Sequence, residues 1–208
     1  MAAAAGRHAL ADGGDLYVPP AAVGGRPDAV VVTLHGAGSS PQHSFEPLLP
    51  FADEAGLILL APKSRRATWD IVYGHFGADV ATLDELLADL FRGYPVDPGR
   101  VFVSGFSDGA SYALSLGLTN GDLFSGIVAF SPGFARTVGR TRGKPRVFVS
   151  HGTEDTVIPI DQTSRRIVPR LRKDGYDVNY LEFAGPHLVP REVARGAVEW
   201  LAGGVSSG

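Results

Sequence analysis

The 208-residue chain contains no cysteine and a single methionine. The first absence excludes disulfide staples, thiolate nucleophiles and cysteine-ligated zinc. Long apolar runs are also missing. No stretch approaches the ~20 residues that cross a bilayer, and the alanine run in residues 1–5 leads into Gly6-Arg7-His8 without the apolar segment of a secretory leader. Charge of one sign is equally scarce: 19 basic and 22 acidic side chains, spread along the sequence, leave a net charge of −3 and no basic footprint for nucleic acid or anionic lipid. Small molecules are therefore the expected partners. The expected setting is the cytoplasm, without membrane insertion, as a monomer or homodimer.

What the chain does have is 44% hydrophobic residues, enough at this length to bury one substantial core. A single domain over residues 1–208 is expected, with residues 1–14 loose and 202–208 a flexible tail. Short, mostly continuous apolar runs at 30–34, 57–60, 101–103, 127–130, 147–149 and 178–183 read as strands buried on both faces, and residues 15–18 as a further short strand. Between them Val80, Leu83, Leu86, Leu87 and Leu90, and later Val193, Ala197, Val198 and Leu201, recur at helical intervals. A third helix is expected over 161–173, capped by Asp161 and kinked or interrupted at Pro169. Strands alternating with helices predict an α/β fold, with a central, mostly parallel sheet flanked by helices on both faces. Residues 131–146, rich in glycine and arginine, read as an exposed loop too short to form a separate lid domain.

The chemistry begins at Gly105-Phe106-Ser107-Asp108-Gly109. With 14 serines and 27 glycines in the chain, a Gly-x-Ser-x-Gly match arises by chance about 0.2 times, so its context has to decide. Here the apolar run 101–103 precedes it and the alanine- and leucine-rich run 110–118 follows. That is the strand, sharp turn and helix which hold a serine hydroxyl clear of its own backbone.

A serine hydroxyl is a poor nucleophile unless a base takes its proton and a carboxylate fixes that base. The run 147–149 leads into His151-Gly152-Thr153-Glu154-Asp155, and the run 178–183 into Gly185-Pro186-His187. Both groups fall just beyond a strand's C-terminal end, the edge where open α/β sheets bind ligands. Ser107 is thus the candidate nucleophile, His187 the base and Asp155 the acid, with Glu154 beside it as the alternative acid. Their order along the chain, Ser, Asp, His, is that of the α/β-hydrolase fold. His151 reads as a turn residue, and His8, His43 and His75 as surface or locally satisfied histidines.

An oxyanion formed at Ser107 needs fixed N–H donors. The amide of Asp108, at the start of the following helix, supplies one, and His35-Gly36-Ala37-Gly38, directly after the run 30–34, offers Ala37 as the second. The same glycines do not make a dinucleotide fingerprint, because Pro41 stands where a third glycine would, and residues 139–144 lack the spacing of a phosphate loop. No metal-ligand spacing is found either, so metal-free, cofactor-free chemistry is expected. Trp69, Tyr73, Phe134 and Leu188, together with Phe45, are candidate pocket residues, although aromatics bury themselves in cores equally often.

These pieces, with Phe130-Ser131-Pro132 and Val157-Ile158-Pro159, resemble the phospholipase/carboxylesterase group of α/β-hydrolases, which also includes acyl-protein thioesterases. The resemblance covers most of the chain. It implies metal-free ester hydrolysis with Ser107 as nucleophile, Asp155 as acid, His187 as base and the amides of Ala37 and Asp108 as oxyanion donors. Asp108 departs from the glutamine usual in the thioesterases, and Pro186 from the small residue usual before the histidine. A short-chain serine carboxylesterase working through an acyl-enzyme is the expected activity. Thioesterase, lysophospholipase, peptidase and dienelactone-type chemistries, and an inactive binding scaffold, are the alternatives.

Overall fold

The structure, a computed structural model, describes residues 4–24 and 28–203. Strand β1 (Gly6–Ala9) turns into β2 (Asp15–Val18), and a 3₁₀ turn leads to β3 (Asp28–Leu34). Helices α1 (Pro41–Phe45) and α2 (Leu49–Ala55) precede β4 (Leu57–Ala61), and α3 (Ala78–Gly93) precedes β5 (Val96–Phe106). Next come α4 (Asp108–Thr119), a two-residue β6 (Asn120–Gly121), β7 (Gly126–Phe130), a two-residue β8 (Arg142–Gly143) and β9 (Arg146–Gly152). The chain ends with α5 (Ser164–Lys173), β10 (Val178–Phe183) and α6 (Arg191–Ala202).

Eight strands form one sheet in the order β1-β2-β4-β3-β5-β7-β9-β10. From β4 to β10 every pairing is parallel; only β1 with β2 and β2 with β4 are antiparallel. Successive strand residues face opposite sides, and both sides are covered, which is why the strands read as unbroken apolar runs. On one side Val30, Val32, Val101, Val103, Ile127 and Val149 pack against α3, α4 and α5. On the other, Val31, Leu59, Phe102, Val128, Phe130 and Phe148 pack against α1, α2 and α6. Each such side chain, removed from water, contributes ~1.5–3 kcal/mol before the entropy of ordering is charged.

Register then decides where the loops meet. Leu34 lies opposite Gly105, Phe106 opposite Phe130, Phe130 opposite Ser150, and Phe183 opposite Gly152. The residues after these strand ends, 35–38, 107, 131, 153–155 and 185–187, therefore emerge along one edge of the sheet.

Four local expectations are corrected. Residues 1–14 are not uniformly loose: β1 pairs with β2, and Arg7 reaches the buried Asp15 at 3.2 Å, while residues 1–3 lie outside the described residues. At the other end, α6 continues to Ala202, and 204–208 lie outside the described residues. The helix expected from Asp161 starts instead at Ser164 after a 3₁₀ turn, because the Asp161 carboxylate pairs with Arg165 at 2.8 Å rather than capping; the helix runs on through Pro169 to Lys173. The segment 131–146 is only partly an exposed loop. Hydroxyls of Ser111, Ser115 and Thr119, one helical turn apart on α4, accept its N–H groups from Gly133, Phe134, Arg136 and Val138.

Candidate active site

Ser107 stands between β5 and α4 with φ 59° and ψ −120°, a left-handed conformation that side chains adopt only under constraint. The two glycines beside it explain how the turn closes. A Cβ on Gly105 would sit 2.3 Å from the Gly109 carbonyl group, and one on Gly109 only 2.0 Å from Leu34 O. Any side chain at either position would push the elbow off the sheet. The Ser107 N–H is tied to Phe130 O at 3.0 Å, which locks the elbow to the neighbouring strand.

His187 and Asp155 meet at this edge. His187 Nδ1 lies 2.6 Å from Asp155 Oδ2, and its ring packs on Phe106, with centroids 4.5 Å apart. Because the carboxylate only accepts, Nδ1 carries the proton, and Nε2 is left free to act as a base. Among the described residues no hydrogen bond joins Ser107 to His187. The Phe106 contact brings the ring to within one residue of the serine, and such contacts commonly tighten only around substrate.

Of the two neighbouring carboxylates, Asp155 is the one turned inward, at 5% exposure; Glu154 is exposed. Asp155 Oδ1 accepts the N–H groups of Val157 at 2.9 Å and Ile158 at 2.7 Å. Burial pushes the Asp155 carboxyl up. The N–H of Ile158, His187 and the N–H of Val157 outweigh it and hold the group below the ordinary carboxylate range. It is an anion at neutral pH.

The two N–H groups expected to serve an oxyanion are unpaired among the described residues. Ala37 N–H has no partner among the described residues, and Asp108 N–H opens α4, where helical geometry leaves it unpaired. Gly36 approaches the serine closely, since a Cβ there would lie 3.5 Å from Ser107 Cβ. His35 was missed by sequence reasoning, although its place between a strand end and Gly36 was a signal. Its Nε2 must accept from Ser64 N–H at 3.2 Å, so its Nδ1 donates to Gly36 O at 2.8 Å. Burial holds this ring below the ordinary histidine range, hence neutral, with the hydrogen bond to Gly36 only partly opposing. Anchoring the Gly36 carbonyl fixes the trans peptide plane and turns Ala37 N–H the opposite way.

A cleft of about 720 Å³ opens beside this group, lined by Gly36, Ala37, Phe106, Phe130, His187 and Leu188 and continuing to Phe51, Val189 and Arg191. Of the four candidate pocket residues, only Leu188 lines it. Trp69 is corrected to a core residue: it is 1% exposed, stacks on Tyr112 at 4.9 Å and donates its indole N–H to His35 O. Tyr73 faces a separate hollow with Arg65 and His75, its ring under the Arg66 guanidinium at 5.3 Å. Phe134 packs on the core beneath Arg136, and Phe45 is buried completely. The cleft's far wall, from α2 and α6, had no sequence signal, because it exists only where those helices meet. Asp108 has a partner of its own, Thr68 Oγ1 at 2.7 Å.

The sequence family model described as phospholipase/carboxylesterase matches residues 75–193. Esterase PE8, a solved structure, is 22% identical, with 97% of this chain and 98% of that one covered, and a TM-score of 0.69. The substrate-bound fluorophosphonate-binding serine hydrolase F of Staphylococcus aureus is 15% identical over 94% and 96% of the two chains, with a TM-score of 0.73. A phospholipase/carboxylesterase from Dyadobacter fermentans is 19% identical over 97% and 98%, with a TM-score of 0.67. These structures share the α/β-hydrolase fold with the chain. No curated protein matches it by sequence.

Proposed function

The chain belongs to the phospholipase/carboxylesterase family of α/β-hydrolases, enzymes that act on carboxylic ester bonds, and on that premise we propose that it is a short-chain serine carboxylesterase using Ser107, His187 and Asp155. The observation that carries this reading is the 2.6 Å hydrogen bond from His187 Nδ1 to Asp155, made on the ring that packs against the elbow.

In the proposed reaction Ser107 Oγ attacks the ester carbonyl carbon as His187 Nε2 takes the hydroxyl proton. The carbonyl oxygen becomes an oxyanion facing the N–H groups of Ala37 and Asp108. The C–O bond to the alcohol then breaks, and the alcohol leaves with the proton from His187. Water, deprotonated by the same nitrogen, attacks the acyl-serine, and the acid departs as Ser107 recovers its proton. Asp155 stabilises the imidazolium in both halves without itself being protonated.

The cleft supports an apolar acyl or alcohol group, within the ~300–1,000 Å³ typical of ligand sites, and no separate lid domain was expected above it. Short aryl esters should therefore be turned over without interfacial activation. In purified protein, Ser107→Ala should abolish aryl-acetate hydrolysis, a loss of about 10⁶ in rate for a removed nucleophile, and should prevent labelling by a fluorophosphonate. Wild-type activity in that variant would overturn the assignment. A parallel series of thioesters and lysophospholipids, against the esters, separates the alternative activities.

A further inference from the structure

One buried titratable side chain beside the site has no part in that reaction. His151 is completely buried, and so is Ser164, at the start of α5. Its Nδ1 lies 2.7 Å from Ser164 Oγ, and its Nε2 lies 2.8 Å from Ile158 O and 3.2 Å from Asp155 Oδ2. A carbonyl oxygen only accepts, so Nε2 carries the proton. A neutral imidazole has one N–H, so Nδ1 accepts and the Ser164 hydroxyl donates. The neutral form follows from burial, which outweighs the favourable contacts with Ile158 and Asp155 and holds the ring below the ordinary histidine range.

We propose that His151, oriented by Ser164, is a positioning residue: its single Nε2–H faces both Asp155 Oδ2 and Ile158 O and holds the carboxylate and its turn in the plane that His187 requires. The inference rests on the reading of Asp155 and His187 given above. Asp155 Oδ1 is fixed by two backbone N–H groups from a turn, Val157 and Ile158, whose own Ile158 carbonyl is held, among the described residues, by His151 alone. Among the described residues Oδ2 otherwise meets only the ring of His187, the group that must stay mobile enough to pass a proton. The immobile Nε2–H, hydrogen-bonded to Ile158 O and 3.2 Å from Oδ2, is a second polar contact on that oxygen and resists rotation of the carboxylate. Being uncharged, it does so without competing with the imidazolium for the anion's field.

The other charged groups facing His151 are few. Asp155 and His187 lie on the site side, and Glu182 on β10 is felt across the sheet edge. Arg165 on α5 engages Glu182 and, with Tyr180, holds it below the ordinary carboxylate range, so it stays ionised wherever a histidine titrates.

The test compares His151→Leu, His151→Gln and Ser164→Ala in the full chain. Glutamine can return an N–H near the position of Nε2; leucine cannot. His151→Leu should lower kcat by about tenfold or more, the equivalent of one hydrogen bond to a charged group, with KM changed by less than about twofold. The acid limb of kcat/KM should move to higher pH, because a carboxylate with one donor fewer holds a proton more firmly on its histidine. His151→Gln should restore most of kcat and return the limb. A folded His151→Leu protein with unchanged kcat, or with reduced kcat, an unmoved limb and no rescue by glutamine, would overturn the proposal. Should His151→Leu fail to fold, Ser164→Ala carries the test: a smaller move of the limb in the same direction supports the role, and an unchanged profile removes it. Proton NMR reads the same point without turnover. The low-field signal of the His187–Asp155 hydrogen bond should persist in wild type and His151→Gln and broaden in His151→Leu; equal signals in all three would count against His151. A wild-type protein inert to esters and fluorophosphonate would defeat the esterase reading instead, leaving the NMR result to decide His151 separately.

Discussion

Gly109→Ala should be far more damaging than its one added methyl group suggests. The new Cβ would lie 2.0 Å from Leu34 O, 2.6 Å from Leu34 C and 2.7 Å from His35 O, all backbone atoms that no rotamer change can move. Opening the shortest approach to ordinary contact requires a shift of about 1.4 Å, either of the elbow or of the end of β3, and a displacement of ~1 Å at a reacting centre costs about 10²-fold in rate. Overpacking adds a stability loss of ~1–3 kcal/mol. Both sides of the contact matter chemically, since one carries Ser107 and the other leads into Ala37. Gly196→Ala provides the control. It makes the same change in α6, where an added Cβ meets nothing within 4 Å. Alanine's better helix propensity should add ~0.5–1 kcal/mol there, raising Tm by about 1–4 °C. The assay is initial-rate hydrolysis of an aryl acetate alongside thermal unfolding by circular dichroism. Gly109→Ala should lose about 10²-fold in kcat/KM and also melt lower. If it hydrolyses the ester as fast as Gly196→Ala does, the close packing of the elbow on β3 does not set the nucleophile's position, and the reasoning fails.

Asp155→Asn should reduce kcat by about 10⁴ through the wrong histidine tautomer. The two backbone N–H groups on Oδ1 claim the amide oxygen, which turns the amide NH₂ towards His187 Nδ1 and forces the proton onto Nε2. Glu154→Gln, on the exposed side of the turn, should leave kcat within about twofold; comparable losses in the two variants would place the acid elsewhere. The stability profile follows from His35 and His151, both held below the ordinary histidine range by burial. Below about pH 6.5 the unfolded chain binds up to two protons that the folded chain resists, so stability falls with acidification, by at most about 2.7 kcal/mol per pH unit. The loss flattens once the pH drops below the folded values. Thermal melts from pH 8 to 5 should show this fall, with a shallower slope in His151→Gln; an equal slope in that variant would contradict burial as the cause. Asp155 acts lower on the scale. Its depressed folded value contributes stability that is complete above about pH 4 and disappears as the pH falls further, so the stability gap between wild type and Asp155→Asn should narrow there.

Much of the sheet could be read in advance because strands buried on both faces announce themselves as apolar runs: every run singled out falls within a strand of the main sheet. The short edge strand β1 could not, since Gly6-Arg7-His8-Ala9 has neither length nor apolar character and pairs only because β2 lies beside it. The start of α5 was misplaced because Asp161 has two uses, cap and ion-pair partner, and only its distance to Arg165 distinguishes them.

For the candidate site the division has the same origin. The amino-acid order alone determined which residues leave the sheet's C-terminal edge and where only glycine is tolerated, since both depend on near neighbours along the chain: a strand's end, a tight turn, a helix's first amide. The tertiary structure alone decided that Asp155 rather than Glu154 faces His187, and that Trp69 packs in the core while Phe51 and Arg191 line the cleft. It also fixed which nitrogen of His35 and of His151 carries the proton. Each of these depends on distances between atoms far apart in sequence. Such distances are set by strand register and helix packing, to which the local pattern of side chains is blind.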